Sequence, residues 1–166
     1  AVREITKIIG SGQVGTVGVI SPKPNLINVV PGEVYMTVDL RNIDETKLKK
    51  AEYLLKQKIE HICLEEKVNV ETEQLVRFKP VNFDKRISNI IANIADEKGL
   101  QCTRLNSGAG HDAQMMARIC PTSMVFVPSK DGISHNPREY TSKEHLNYGL
   151  QILYETINRI DSNLLD

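Results

Sequence analysis

Glu33-Val34-Tyr35-Met36-Thr37-Val38-Asp39-Leu40-Arg41 decides how the first half of this chain is read. Val34, Met36, Val38 and Leu40 fall on one face; Tyr35, Thr37, Asp39 and Arg41 fall on the other. Strict period two over this length specifies a half-buried β-strand, because successive side chains in a strand point to opposite faces. Upstream, Val14 to Ile20 is rich in β-branched residues and predicts a partner strand. Ser21 to Asn25 reads as a turn, Ile27 to Val30 as extended chain, and Pro31-Gly32 as a bend. Ala1 to Ile9 places Val2, Ile5, Ile8 and Ile9 on one side of a helix that Gly10-Ser11-Gly12 stops. Downstream, Asp44 can cap a helix to about Glu66, with Leu48, Ala51, Leu55, Ile59 and Ile62 at spacings of three and four. Val68 to Phe78 reads as a further strand that Pro80 ends.

Helix, strand, strand, helix, strand suits an antiparallel sheet with helices on one face, a ferredoxin-like layout without its first strand. The second half alternates differently. Asp84 is positioned to cap a helix with the stripe Ile87, Ile90, Ile91 and Ile94, and Gly99 to stop it. Gln101 to Leu105 predicts a short strand, and Asn106 to Asp112 a glycine-rich loop before a short helix at 113–118. Thr122 to Val127 is nearly all apolar, as a strand buried on both faces would be. Pro128 to Tyr140 is a loop. Thr141-Ser142-Lys143-Glu144 matches a capping box for a final helix carried by Leu146, Leu150, Leu153, Ile157 and Ile160. This half reads as part of an α/β layer. The fold class is therefore α/β in the broad sense (α+β), with domains expected at 1–80 and 81–166.

Composition bounds the function classes. The chain has 166 residues with 40% apolar and 25% charged, which are globular proportions. Lys+Arg and Asp+Glu are both 21, so the formal net charge is zero. No basic excess is present to replace counterions along phosphates, so no nucleic-acid partner is expected. No apolar run approaches the roughly 20 residues of a spanning helix, so no membrane partner is expected either. The opening Ala1-Val2-Arg3-Glu4 does not read as a signal peptide. Three widely spaced cysteines, Cys63, Cys102 and Cys120, form no disulfide framework and fit a reducing cytoplasm.

Of the four histidines, His61 and His145 lie within predicted helices and read as structural. His111 and His135 sit in loops just past predicted strands, where α/β proteins place their sites. In Ser107-Gly108-Ala109-Gly110-His111-Asp112 the glycines let backbone approach a ligand, and the helix start offers N–H groups; a plain strand-to-helix turn is an equal reading. It is neither a phosphate loop, lacking Gly-Lys-Ser/Thr, nor a nucleophile elbow. A serine-hydrolase arrangement of Ser107 or Ser134 with His111 or His135 and Asp112 is disfavoured, because sequence neighbours rarely face one another as a triad requires. His135 is positioned for metal binding or acid–base work, with Glu139 as its supporting partner. One His and one Glu are not a zinc site, which wants three or four ligands. Arg41 could grip a carboxylate with two parallel hydrogen bonds. The competing reading, a surface ion pair with Asp39, is the one the sequence favours.

Taken in order, Asn28-Val29-Val30-Pro31-Gly32, Val38-Asp39-Leu40-Arg41, Ser107 to Ala113, Phe126-Val127-Pro128-Ser129, Asp131-Gly132-Ile133-Ser134-His135 and Glu139 form a set. It resembles the N-carbamoyl-L-amino-acid hydrolase and allantoate amidohydrolase branch of the metal-dependent amidases and carboxypeptidases, over nearly the whole chain. The resemblance implies a catalytic α/β domain of metallopeptidase type interrupted by a ferredoxin-like lid that also forms a homodimer. Residues 1–80 would be the later part of the lid and 81–166 the C-terminal segment of the catalytic domain. His135 matches the last metal ligand. Asn28 and Arg41 match lid residues that hold the substrate carboxylate; Gly110 matches a backbone position at the same group, with His111 its neighbour.

The family uses two divalent metals (zinc, manganese, cobalt or nickel) to activate a water that attacks the carbamoyl carbon. Its general base and four of five metal ligands come from a region N-terminal to these motifs. The resemblance thus implies a C-terminal fragment of an enzyme hydrolysing the ureido C–N bond of N-carbamoyl-L-amino acids or allantoate. It has no catalytic residue of its own and is inactive alone. The alternatives are a non-catalytic dimerisation module and a related dipeptidase or aminoacylase; the Ser107–Asp112 loop disfavours the latter.

Overall fold

The computed structural model describes residues 1–163, and they separate into two compact units. The first comprises Ala1–Pro80 with Asn106–Gly108; the second comprises Val81–Leu105 and Ala109 onward.

In the first unit, α1 (Val2–Ile9) leads into β1 (Val14–Lys23), which pairs antiparallel with β2 (Glu33–Arg41), and α2 (Glu45–Glu66) follows. β2 spans the alternating stretch. β1 continues through Ser21 to Lys23, where a turn was expected: Ser21, Pro22 and Lys23 pair with Tyr35, Val34 and Glu33. Pro22 has no N–H to give the ladder, which an edge strand tolerates. The turn falls later, and Ile27 and Asn28 lie in it instead of in extended chain.

Val17 pairs with Val38 but Ile20 with Met36, so β1 holds one extra residue, a β-bulge. The Val19 amide displaced by it donates to Thr37 Oγ1 at 3.1 Å. At the far end of the hairpin, Gln13 Nε2 donates to the carbonyls of Val14 and Arg41. Buried Asn42 donates to Gln13 Oε1 and accepts from the Asp44 amide. Asp44 then caps α2 as expected, accepting from the amides of Thr46 and Lys47. Ile5, Leu48 and Ala51 are the buried apolar residues of this unit. A Cβ on Gly15 would lie 2.7 Å from Thr6 Cγ2 and 2.9 Å from Val2 Cγ1, so glycine there lets α1 lie close on β1.

The expected strand at 68–78 is not formed. Its Val68, Val70, Leu75, Val76 and Phe78 are exposed, and the sheet has two strands among the described residues. Half-buried Arg77 instead fastens the segment to α2, donating from Nε to Glu52 (2.8 Å) and from Nη2 to Glu45 (3.0 Å). β-branched composition alone does not make a strand; its N–H and C=O groups need a ladder partner.

In the second unit, α3 (Lys85–Glu97) is capped by Asp84, and Gly99 past its end takes φ +67. Ile87, Ile94 and Ala95 are buried. α4 (Ala113–Met116) is short, and α5 (Lys143–Asn163) packs on α3. Ser142, not Thr141, caps α5: its Oγ accepts from the His145 amide at 3.2 Å. The helix begins one residue later than a capping box starting at Thr141 requires.

The α5 face toward α3 is not the leucine stripe. It carries Glu155, paired with Lys98; buried Thr156; and Arg159, whose Nη1 donates to Glu97 at 3.0 Å. Leu146, Leu150, Leu153 and Ile157 are exposed. Segments 101–105 and 122–127 run without ladder partners among the described residues, so neither is a strand here. The second is tied to the start of α3 by the Asp84 amide on Thr122 O (2.8 Å) and by Ser88 Oγ with Ser123 Oγ (3.0 Å).

Candidate functional site

The first unit supplies Asn28 and Arg41. Asn28 lies exposed in the long β1–β2 connection. Arg41 ends β2, two residues beyond Asp39 on the same face. Its Nε lies 2.9 and 3.1 Å from the two Asp39 oxygens, and its Nη2 lies 2.6 Å from Oδ2. This is a fork-on-fork pair. The Asp39 hydrogen bond raises the pKa of Arg41 further above its ordinary value. Nη1 donates to Gly108 O at 3.1 Å, within the same unit. The ion pair expected from the spacing is therefore formed, and it leaves part of the guanidinium uncommitted.

The second unit supplies Gly110, His111 and His135. Neither Gly108 nor Gly110 has φ in the left-handed region, and a Cβ on either would meet nothing within 4 Å. Strain in the chain does not call for glycine at either position; what a missing side chain leaves is room along the backbone. His111 accepts the Ala113 amide on Nδ1 at 3.0 Å, while its carbonyl accepts from Gln114 at 2.9 Å. A backbone amide can only donate, so Nδ1 is unprotonated in this arrangement and the imidazole's N–H is at Nε2. His111 thus shapes the start of α4, a role the sequence did not disclose.

His135 stands in a loop closed at its base by the Lys130 amide on Tyr140 O at 2.8 Å. Asp131, Gly132 and His135 all take positive φ (58, 66 and 55). Positive φ is uncommon outside glycine, about a few per cent of residues, although asparagine, aspartate and histidine adopt it more often than others. Glu139 holds His135 in it: its Oε2 accepts the His135 backbone amide at 2.9 Å. The expected support from Glu139 is present, but it acts on the backbone and not on the ring. The Ser129 hydroxyl donates to Ile133 O and ties the N-terminal end of the loop.

His135 is exposed, and among the described residues no three His, Cys, Asp or Glu side chains gather as metal ligands do. His61 is an exposed helix residue whose Nε2 lies 3.5 Å from Glu65, an ion pair when the imidazole is protonated, and the His145 ring lies 6.4 Å from that of Tyr148. No helix among the described residues is long and apolar enough to cross a membrane.

Comparison with known proteins adds what the geometry leaves open. Residues 3–159 match the family model described as peptidase family M20/M25/M40. The allantoate amidohydrolase of Bacillus subtilis is 37% identical over 145 residues, 87% of this chain and 35% of that protein. The N-carbamoyl-L-amino-acid amidohydrolase of Rhizobium meliloti is 36% identical over 146 residues, 88% of this chain and 35% of its own length. The crystal structure of a hydantoinase/carbamoylase-family amidase from Burkholderia vietnamiensis superposes with a TM-score of 0.88 at 35% identity, over 93% of this chain and 38% of the other. The chain spans about a third of the length of the relatives it matches. A family model running through both units, from α1 into α5, shows that the chain belongs to the M20/M25/M40 peptidase family.

Proposed function

We propose that residues 1–166 are the C-terminal part of a dinuclear-metal amidohydrolase that cleaves the carbamoyl C–N bond of N-carbamoyl-L-amino acids or of allantoate. The observation that carries this reading is the pair of relatives named for those two substrates, each matched over nearly nine-tenths of this chain. In this reading residues 1–80 belong to the later part of a lid and dimerisation domain, and 81–166 to the C-terminal segment of the catalytic domain. The separation of the described residues near Pro80 supports the division. Asn28, Arg41, the Gly110 backbone and His111 bind substrate, and His135 is a metal ligand. A homodimer through the lid is supported by the exposed Val19, Ile20, Val34, Tyr35 and Met36 of the hairpin. Three free thiols support a reducing compartment such as the cytoplasm.

His135 does not make a metal centre on its own: zinc wants three or four ligands, and no such group is formed among the described residues. The remaining ligands and the base must come from polypeptide beyond this chain, and no residue described here is assigned the chemical step. What this chain contributes is placement. Arg41 gives charge-assisted hydrogen bonds to a carboxylate, about 1.5–3 kcal/mol each, and the Glu139 clasp fixes the backbone from which the His135 imidazole projects.

The test is ammonia release from N-carbamoyl-L-amino acids and from allantoate by a longer polypeptide carrying these residues, loaded in turn with zinc, manganese, cobalt and nickel. Turnover with at least one metal is expected. Its absence with all four refutes the assignment. Residues 1–166 alone are expected to release none, and measurable turnover by them would overturn the incomplete-centre argument.

A further inference from the structure

We infer that Asp39 is a positioning residue for Arg41: it orients the guanidinium so that one N–H on each terminal nitrogen is left to receive the substrate carboxylate. This rests on the reading that Arg41 binds that carboxylate.

An arginine side chain carries five N–H donors in a rigid planar fork. Asp39 takes the Nε hydrogen and one Nη2 hydrogen, at 2.9 and 2.6 Å. Gly108 O takes one Nη1 hydrogen at 3.1 Å. One hydrogen remains on Nη1 and one on Nη2. Because Asp39 occupies the Nε side, the remaining Nη2 hydrogen lies on the edge shared with Nη1. A carboxylate arriving there meets a guanidinium held on two sides, by Asp39 and by Gly108 O.

The pair is poorly placed to act as a stabilising ion pair. Its side chains are 48% and 49% exposed, and exposed pairs are worth little. Yet two oxygens against two nitrogens is more order than an exposed pair needs. Asp39 and Arg41 lie on one face of a paired strand, so the carboxylate is fixed by the backbone that fixes the arginine. An unheld arginine would surrender its rotamer freedom on binding substrate, and ordering it beforehand removes that cost. The same carboxylate also compensates the arginine's charge, which disposes the site to a single carboxylate over a polyanion.

The experiment uses a longer, metal-loaded polypeptide carrying residues 1–166, with N-carbamoyl-L-alanine and its carboxamide as probes. Asp39→Ala and Asp39→Asn are expected to raise KM for the acid about tenfold, a cost of about 1.4 kcal/mol. They should leave kcat within about twofold and KM for the carboxamide nearly unchanged. Asp39→Glu, which keeps the charge and fork, should recover part of the loss. Arg41→Ala is run in parallel and combined with Asp39→Ala; the double variant should lose no more than Arg41→Ala alone.

If Arg41→Ala raises KM for the acid and neither Asp39 variant does, the positioning role is wrong and the function stands. If Arg41→Ala leaves KM unchanged, Arg41 does not bind the carboxylate and both fail. Equal losses for acid and carboxamide would show a structural effect and overturn the inference. Should Asp39→Ala not fold, Asp39→Asn, nearly isosteric, decides.

Discussion

Gly149 offers the sharpest test of how the second unit packs. It sits inside α5, where glycine costs about 1 kcal/mol relative to alanine. A Cβ built on it falls 2.5 Å from Val127 Cγ1. Carbon atoms in contact prefer about 3.5–4.0 Å, so alanine at 149 overlaps the valine by about 1 Å. Val127 is β-branched and stiff at χ1, so relief requires segment 122–127 or the helix itself to move. Overpacking of this kind costs about 1–3 kcal/mol. Set against the gain in helix propensity, Gly149→Ala should destabilise by about 0–2 kcal/mol. The sign alone is a weak test, so the coupling is measured. Val127→Ala removes the overlapping methyl, and in that background Gly149→Ala should stabilise. The double-mutant cycle should show a favourable coupling of about 1–3 kcal/mol. Urea unfolding of the four proteins, followed by far-UV circular dichroism, gives the numbers. Gly149→Ala stabilising by the whole propensity gain, with no coupling to Val127, would refute the placement of segment 122–127 against α5.

Two further outcomes follow from the helix caps and ion pairs. Asp44→Ala removes the acceptor for the Thr46 and Lys47 amides and should cost about 1 kcal/mol in urea unfolding, with Asp44→Asn costing less. The Arg86 side chain holds the Asp84 carboxyl below its ordinary 3.8, and Arg159 holds Glu97 below its ordinary 4.5. Folded values below unfolded ones contribute stability that is complete above those ordinary values and is lost as pH falls through the folded ones. Acid titration followed by circular dichroism should therefore show Asp84→Asn and Glu97→Gln flattening the acid limb; an unchanged limb in both would show that the pairs carry no linkage.

Elements with a local cause were legible. β2 follows from period two, and α2 and α3 follow from an acidic cap ahead of an apolar stripe. The cap of α5 was misplaced by one residue because Thr141 and Ser142 both suit the position, and helix geometry chose Ser142. The bulge at Gly18–Val19 has a readable mark in Gly18 itself, since a glycine inside a predicted strand signals a bulge or a close backbone approach. Arg77 carries no local signal, because its partners Glu45 and Glu52 are far away in sequence. Gly149 carries a legible signal, since a glycine inside a predicted helix marks a position of close approach. At the site, residue types and spacing brought out Arg41, His111 and His135. The Ala113 amide on His111 and the Glu139 clasp on the His135 backbone depend on loop conformations that composition does not set.

The three segments expected as strands and found unpaired share one physical cause. Residues 68–78, 101–105 and 122–127 have the side chains of strands, and a strand's side chains specify which surfaces it buries. They do not supply its hydrogen bonds, which come from neighbours. The same division holds on α5. Leu146, Leu150, Leu153 and Ile157 recur at helical spacing and build the helix, yet they are exposed, while two ion pairs, Lys98–Glu155 and Arg159–Glu97, link α5 to the α3 end. Apolar period therefore reports a face made to be covered, and the covering element is a separate fact. Arg41 obeys this logic in miniature. Its sequence posed a choice between an ion pair with Asp39 and a grip on a carboxylate. The geometry forms the ion pair and keeps two donors for the carboxylate grip we propose, because two of the five donors meet Asp39, one meets Gly108, and two remain.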